Sequence, residues 1–227
     1  MNPVPLGIYH HYKGNHYEVI GFARHSETLE DMVIYKALYG EGGTWVRPLS
    51  MWDNLIEVDG KTVKRFEYVA EHIREITPPD YPFLEEFLYH AIFIPPGSEA
   101  PPREIINEPD VFIYIDGFGS KPGDCGVVTE ADGKIMGAAW TRIIPAYGHI
   151  DDDTPELAIS VLPEYRSRGI GAALMARLFV LLRERGYAQI SLAVQKKNGA
   201  VRFYQRLGYE VVRENDAEFI MIKRLED

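Results

Sequence analysis

The most constraining feature of the sequence is an apolar segment that leads through a glycine-containing loop into a helical pattern. Residues 157–162 read Leu-Ala-Ile-Ser-Val-Leu, a nearly continuous apolar run of the kind that forms a strand buried on both faces. Residues 166–172 then read Arg-Ser-Arg-Gly-Ile-Gly-Ala, and leucines at helical spacing follow as far as about residue 185. Gly186 suits the position that follows a helix C-terminus. The pattern predicts a strand, a loop and a long helix in direct succession.

The elements around this unit predict an α/β (α+β) fold, with a mixed central sheet flanked by helices. In chain order we expect helices at 83–91 and 103–107, strands at 126–130, 135–140 and 157–162, a helix at 171–185, a strand at 189–194, a helix at 198–207, and two strands around a turn at 214–216.

The first part of the chain has a different character. Short β-type runs at 8–12, 16–20, 32–38 and 44–49 are separated by turn residues, and Asp59-Gly60 marks a further hairpin. Short strands at regular spacing predict a small β-rich module, either a barrel or a sandwich. We therefore divide the chain into a β module at 1–69 and a mixed α/β domain at 70–227.

Composition limits the class of protein. The chain has 227 residues, of which 46% are hydrophobic, and it contains a single cysteine, Cys125. An internal disulfide and a multi-cysteine zinc site are therefore excluded. The sequence shows no apolar stretch long enough to span a membrane and no signal peptide at its start, so we expect a cytoplasmic protein without a membrane partner.

The formal net charge of −10 is unevenly distributed. Residues 71–165 carry a net charge of −13, whereas residues 166–206 carry +8. An acidic total makes nucleic acid an unlikely partner of the C-terminal domain. The basic block predicts an anion-binding site. The alternative is that its arginines are the solvated faces of two helices.

The loop before the long helix has the chemistry of a phosphate site. Gly169 and Gly171 would let a ligand approach the backbone, and the unpaired N–H groups of the first helical turn would face it. Helix packing is the alternative role of these glycines. A dinucleotide fingerprint is excluded because Leu174 stands where its third small residue is required, and a P-loop is excluded by Leu55.

At these residues the sequence resembles the GCN5-related N-acetyltransferase (GNAT) superfamily. Arg166, Gly169 and Gly171 match its Arg/Gln-x-x-Gly-x-Gly/Ala signature. A second family pattern, an asparagine and then a helix with a late tyrosine, is matched by Asn198 and Tyr204. The resemblance is strong over residues 157–225 and implies the GNAT fold, with acetyl-CoA as co-substrate and an amine as acceptor.

The resemblance also implies roles for particular residues. Tyr204 would protonate the departing thiolate, and Glu156, directly or through water, would act as base. Residues implied to bind acetyl-CoA are Ile159, Val161, Leu162, Arg166, Ser167, Arg168, Gly169, Ile170, Gly171, Ala172, Asn198 and Tyr204. Taken without the resemblance, Tyr204 is a core residue, Asn198 a helix cap and Glu156 a solvated strand-end acid.

No metal is expected. Asp151, Asp152 and Asp153 form a run of acids typical of a solvated turn, and the histidines at positions 10, 11, 16 and 25 lack cysteine partners. We expect Cys125 to be packed in a strand, which favours direct acetyl transfer in a ternary complex over an acetyl-cysteine intermediate.

Four questions stay open at the level of sequence. Residues 5–68 resemble a short bacterial domain family of unknown function, so the resemblance implies no role for the module. The acceptor is either a small molecule or a peptide, and the acidic segment favours a cationic one. The alternative to an enzyme is a catalytically silent CoA-binding sensor or scaffold whose β module binds protein or RNA. Monomer and homodimer are both open.

Overall fold

The computed structural model describes residues 4–39, 42–70, 72–131 and 133–225. These residues form a first β-sheet, a separate hairpin and a larger second sheet. The α-helices of the described chain all follow the first sheet, and they are α1 Leu84–Ala91, α2 Pro109–Phe112, α3 Ile170–Glu184 and α4 Ala200–Arg206.

The first sheet is antiparallel. Its strands are β1 Gly7–His11, β2 His16–Arg24, β3 Asp31–Ala37, β4 Thr44–Pro48 and β7 Phe66–Ala70, in the spatial order β4-β3-β2-β1-β7. The strands β5 Leu55–Val58 and β6 Lys61–Lys64 form the separate hairpin. Asp59 (φ 49°) and Gly60 (φ 74°) both adopt left-handed backbone at its turn, which confirms the hairpin predicted from this dipeptide.

Stacked aromatic rings fill the interior of this first sheet. Trp52 is fully buried and lies parallel to Phe66, with ring centroids 4.0 Å apart, and Tyr9 meets Trp52 edge-on at 5.2 Å. The Arg47 guanidinium of β4 lies 5.8 Å above the Phe66 ring of β7. Side chains of the two outer strands therefore meet in this aromatic interior, and the part is β-rich as the sequence predicts.

The second sheet is mixed. Its strands are β8 His72–Glu75, β9 Cys125–Ala131, β10 Lys134–Arg142, β11 Glu156–Val161, β12 Gln189–Gln195, β13 Glu210–Glu214 and β14 Glu218–Arg224. They are arranged β13-β14-β12-β11-β10-β9-β8, and β11 runs parallel to β12 while the other neighbours are antiparallel. The predicted mixed α/β fold with flanking helices is thus confirmed.

Strand β11 is buried on both faces, as its apolar sequence predicts. Leu157 and Ile159 pack in the cluster that surrounds α3. Ala158 belongs to the cluster on the opposite face, beneath α1. On that face the Ser160 hydroxyl donates a hydrogen bond of 2.7 Å to the Phe87 carbonyl of α1, which satisfies the one polar group of the run.

Strand β1 is buried on both faces as well, and this joins the two sheets. Tyr9 points into the aromatic interior of the first sheet. Ile8 points the opposite way and lies, with Leu38, in the same apolar cluster as Leu174 of α3. The first sheet therefore shares an apolar core with α3. The division of the chain into domains at residues 69 and 70 stays a prediction.

Three strands or helices were not anticipated from the sequence, and the first of them is β7. Strand β8 is short, and three of its four residues are polar, so no apolar alternation indicates it. It is held by Arg74, whose guanidinium pairs with Asp80 at 2.6 Å and Glu130 at 2.9 Å. Helix α2 is a single turn that begins at Pro109, too short to produce a periodic pattern.

A buried ion pair fixes the start of β9 against β10. Arg142 and Asp124 are each about 1% exposed or less at the side chain, and their closest atoms are 2.8 Å apart. Arg142 also donates to the carbonyls of Ile113 and Asp116, and Asp124 accepts two backbone N–H bonds. Every charged group of the pair therefore has several partners, as a buried pair requires.

Removing one partner of this pair tests its contribution. Asp124→Asn leaves the Arg142 charge buried without a counter-charge, so we expect the free energy of unfolding to fall by about 3–5 kcal/mol in urea denaturation. The control is Asp31→Asn, which breaks an exposed pair with Arg24 and should leave the midpoint unchanged. Similar small changes at both positions would contradict this assignment.

Candidate active site

The central feature of the second sheet is a gap between its two parallel strands. Within the described residues, the one register pair between β11 and β12 is Glu156 with Ser191, at the N-terminal ends of both strands. Beyond that pair the strands separate. The edge of β11 is therefore open toward its C-terminal end, inside the sheet rather than at its border.

The backbone groups of alternate residues in β11 are directed into this gap. The Leu162 amide donates to a β10 carbonyl at 2.9 Å, and the Pro155 carbonyl accepts a β12 amide at 3.0 Å. Backbone groups of successive strand residues point to opposite sides, so odd-numbered residues of β11 face β12. Ile159 consequently presents its N–H and C=O groups to the gap, where a ligand could bond to them. Val161 presents its N–H group there, while its carbonyl accepts from Arg166.

The loop between β11 and α3 is shaped by left-handed backbone. Gly169 has φ 82° and Ser167 has φ 61°, and Ser167 is one of few non-glycine residues with positive φ. The turn at Gly169 aims the first turn of α3 at the space beside the gap. The amides at the start of that helix have no partner within the helix and are available to an anion.

The C-terminal part of β11 and the loop form two walls of a cleft of about 960 Å³. The other walls come from α4 and from the end of α1 with the segment after it, including Phe93, Ile94 and Ala100. The structure thus brings together most of the residues predicted to bind acetyl-CoA: Ile159, Val161, Arg166, Ser167, Gly169, Ile170, Gly171, Ala172, Asn198 and Tyr204 line this cleft.

Two of the predicted residues lie outside the lining. Leu162 packs under α1. The Arg168 guanidinium lies 5.6 Å above the Tyr165 ring. Arg166 does line the cleft, but its guanidinium donates to the Val161 carbonyl at 2.9 Å and to the His90 carbonyl at 3.3 Å. Arg166 therefore ties β11 to the end of α1.

Asn198 is placed as a helix cap at the edge of the cleft. Its Oδ1 accepts the Ala200 amide at 2.9 Å, and this satisfies one of the free N–H groups at the start of α4. The cap and a ligand contact are compatible because Asn198 also lines the cleft.

Tyr204 projects from α4 into the cleft lining. Its ring lies against Phe203 at 5.3 Å and Tyr209 at 5.6 Å. Burial raises the pKa of Tyr204 to about 12, so its phenol is protonated at neutral pH. The side chain is both packed and at the cleft, and the core and functional interpretations of Tyr204 are therefore compatible.

Glu156 lies at the other end of β11 and does not line the cleft. Its side chain is buried, and Oε1 accepts hydrogen bonds from the Gly148 amide, at 2.8 Å, and the Tyr114 hydroxyl. Oε2 is buried and has no partner among the described residues. Burial raises the pKa of Glu156, against the opposing effect of these hydrogen bonds. Glu156 is thus not the solvated strand-end acid that the sequence suggests when the family resemblance is left aside.

The partners of Glu156 were missed from the sequence. Tyr114 lies in an acidic loop region with no recognisable motif. The structure shows why position 148 is a glycine. A Cβ there would lie 2.8 Å from Oε1 of Glu156 and 2.7 Å from the Ala193 amide nitrogen. Any side chain at position 148 would displace the carboxylate.

No group of three or more His, Cys, Asp or Glu side chains of the described residues is arranged to hold a metal ion. No helix of the described chain combines the length and the apolar character needed to cross a membrane.

Comparison with known families agrees with this geometry. Residues 72–209 match the model of the acetyltransferase (GNAT) family. The chain belongs to the GNAT family. Residues 7–68 match a second model, described as a protein of unknown function (DUF1653).

Curated relatives match parts of the chain. An acetyltransferase of Sodalis glossinidius is 32% identical over 124 residues, which cover 54% of this chain and 71% of that protein. A mycothiol acetyltransferase of Saccharomonospora viridis is 32% identical over 94 residues, 40% of this chain. The match spans only 30% of the length of that second relative.

Solved structures match each part of the chain, and the first of the two below agrees with the fold of the α/β part. A putative acetyltransferase from Salmonella typhimurium with its cofactor acetyl-CoA has a TM-score of 0.51 at 19% identity, covering 68% of this chain and 94% of that chain. A DUF1653 protein from Bordetella bronchiseptica is 38% identical, covers 34% of this chain and 97% of that chain, and has a TM-score of 0.30.

The two glycines of the loop predict opposite effects on stability. Gly169→Ala places a Cβ on left-handed backbone and 3.2 Å from Nε2 of His16, so we expect a loss of about 1–2 kcal/mol. Gly171 lies within α3, where alanine is the better helix former. Gly171→Ala adds only an ordinary 3.7 Å contact to Phe203 of α4, so stability should be unchanged or rise by up to about 1 kcal/mol. Chemical denaturation measures both, and equal losses would refute the assigned backbone geometry.

Proposed function

We propose that this GNAT protein transfers the acetyl group of acetyl-CoA to the amine of an acceptor, directly and in a ternary complex. The observation that carries the proposal is the gap between β11 and β12, which opens beside the left-handed loop at Gly169. The relatives named as acetyltransferases support the same reaction class. When bound, acetyl-CoA supplies an activated thioester.

The cleft offers hydrogen-bond partners for both the pantetheine arm and the pyrophosphate of acetyl-CoA. The N–H and C=O groups of Ile159 and the N–H group of Val161 suit the amide groups of a pantetheine arm, which would lie along β11 as an added strand. The amides of the first turn of α3 suit a pyrophosphate. In this arrangement the strand N–H groups would also polarise the thioester carbonyl.

Glu156 would receive the proton of the acceptor amine. Its Oε1 is occupied by the Gly148 amide and the Tyr114 hydroxyl, whereas Oε2 has no partner in the described chain. Oε2 is therefore the oxygen that would take the proton, either from the amine or from a bridging water. The raised pKa brings this carboxyl closer to neutral pH, which suits a general base.

Tyr204 would return a proton to the thiolate that leaves. Its phenol is protonated at neutral pH and lines the cleft between α4 and β11. The hydroxyl is therefore a proton donor at the place where the sulfur would depart.

Cys125 is poorly suited to carry the acetyl group. The thiol is buried in β9 and shares a 3.3 Å hydrogen bond with the Thr141 hydroxyl. Burial raises the pKa of the Cys125 thiol, so little of the nucleophilic thiolate is present. Both observations support direct transfer.

The surroundings of Glu156 favour a cationic acceptor. Tyr147 lies beside Gly148 and is about half exposed. Its partial burial raises its pKa, and the negative charges of Asp110 and Glu218 raise that pKa further. Two carboxylates near an exposed ring form a site of negative potential. An ammonium-bearing acceptor would be attracted there.

Turnover with a panel of amines tests the proposal. Wild-type protein should release free CoA only when an amine is present, with preference for amines that carry a second positive charge and with slower rates at high salt. Tyr204→Phe keeps the ring and should lower kcat by about 100-fold while leaving acetyl-CoA affinity unchanged.

The separation of Glu156 from the cleft lining is the observation that favours the second candidate, a CoA-binding sensor or scaffold. That function would be indicated if CoA raises the melting temperature, no amine is acetylated and Tyr204→Phe changes nothing.

A Glu156→Gln variant should have lower activity than wild type. Its stability relative to wild type should increase as pH rises. The raised folded pKa means that the stability from protonated Glu156 is present at low pH and lost as pH rises through that pKa. As pH rises above the ordinary glutamate pKa, the wild-type melting temperature should therefore fall relative to that of the variant. The transfer rate of the variant should be lower by about 10²–10⁴-fold. If the melting temperatures of wild type and variant changed with pH in the same way, Glu156 would not be a desolvated carboxylate.

A further inference from the structure

One end of the β module collects three positive charges around a histidine. Lys13 lies in the turn after β1, Arg47 lies in β4, and Arg65 directly precedes β7. The charges of all three act on the His11 ring at the end of β1. The Tyr12 amide also donates to the Arg65 carbonyl at 3.2 Å, which holds the turn beside Arg65. Segments distant in sequence therefore bring three cations together, and we call the side chains of Lys13, Arg47 and Arg65 the basic cluster.

The basic cluster lacks a counter-charge within the described chain. None of its three side chains forms an ion pair with a carboxylate of the described residues, whereas Arg24 of the same sheet pairs with Asp31. The Nε atoms of Arg47 and Arg65 are buried and have no hydrogen-bond partner in that part of the chain. Like charges that lie close together and buried donors without partners are both unfavourable. An anion bound between the cations would remove both costs.

His11 adds a neutral hydrogen-bond donor to this place. Its Nδ1 accepts the Lys13 amide at 3.4 Å, so the neutral ring carries its proton on Nε2. Burial, followed by the charges of the basic cluster, lowers the pKa of His11 to about 4, and the ring is uncharged at neutral pH. Such a ring can donate from Nε2 to an oxyanion beside the cations.

Aromatic rings fix the positions of these groups. The His11 ring centroid lies 4.5 Å from that of Tyr12 and 4.8 Å from that of Phe66. The Lys13 ammonium lies 5.8 Å above the Tyr12 ring, and the Arg47 guanidinium lies 5.8 Å above the Phe66 ring. Cation–π contacts of this kind hold a charge in place without neutralising it. The cluster is therefore arranged before any ligand binds.

We propose that the basic cluster and His11 bind a phosphate group carried by a small ligand, which gives the β module a binding site of its own. A phosphate matches the cluster better than a carboxylate does, because it carries about two charges and presents three strong acceptor oxygens to the cations and the His11 N–H. The residues that line the acetyl-CoA cleft include none of these four. The inference therefore goes beyond acetyl transfer and does not depend on it.

Titration of the full chain with phosphates, followed by NMR of the histidine ring signals, tests this proposal. The His11 signals are identified by their loss in His11→Gln. At neutral pH and constant ionic strength, inorganic phosphate and phenyl phosphate should both shift them. The dissociation constant read from these signals should rise by about 10- to 100-fold in Arg47→Gln and in Arg65→Gln, because each loses charge-assisted hydrogen bonds. Lys13→Gln should raise it by about three- to tenfold.

Matched controls remove exposed cations elsewhere in the β module. Lys61→Gln changes the first residue of β6, and Arg24→Gln changes the last residue of β2. Both should bind phosphate as wild type does. If Arg47→Gln or Arg65→Gln lowers the melting temperature, Lys13→Gln decides the test, because Lys13 is exposed.

The outcomes also identify the source of the phosphate. Tighter binding of phenyl phosphate would indicate an organic phosphate, and equal binding would indicate inorganic phosphate; both support the proposal. His11 signals that do not move at millimolar phosphate, or cluster variants that bind as the controls do, would overturn it. A 5′-phosphorylated oligonucleotide that moves these signals when neither small phosphate does would overturn it in favour of a nucleic-acid site. Acetyl-transfer assays are independent of each of these results, so failure here leaves the proposed function standing.

Discussion

The separation of two parallel strands is the constraint on which the rest of the site depends. Pairing between β11 and β12 is seen at Glu156 and Ser191 and does not continue, so strand amides are left unbonded inside a sheet. Such groups require a partner. The loop at Gly169 and helix α4 are placed on either side of this gap, and their polar groups point to the same space. A ligand with amides in its arm and phosphates at its end would satisfy both.

Much of this arrangement could be predicted from sequence because it is local. The apolar run at 157–162, the glycines at 169 and 171 and the helix with Tyr204 each follow from patterns within a few residues. The Asp59-Gly60 turn is similarly encoded by two residues. Strand β8 and the partners of Glu156 could not be predicted, since Arg74–Glu130 and Tyr114–Glu156 are contacts across distant parts of the chain.

The relation between the two parts of the chain was also beyond the sequence. Tyr9 and Ile8 are neighbours in β1, yet one fills the aromatic interior of the first sheet and the other packs with α3. Alternation along a strand explains both, but only the fold shows what each face meets. This shared packing brings His16 to Gly169, and it makes the β module a neighbour of the proposed phosphate loop rather than a distant appendage.

The central claim is that acetyl-CoA occupies the gap between β11 and β12, and a crystal structure of the protein with acetyl-CoA bound tests it most directly. We expect the pantetheine arm to hydrogen-bond to the backbone of Ile159 and Val161, with the pyrophosphate on the amides that follow Gly169. Acetyl-CoA bound elsewhere, with these backbone groups still free, would contradict the account.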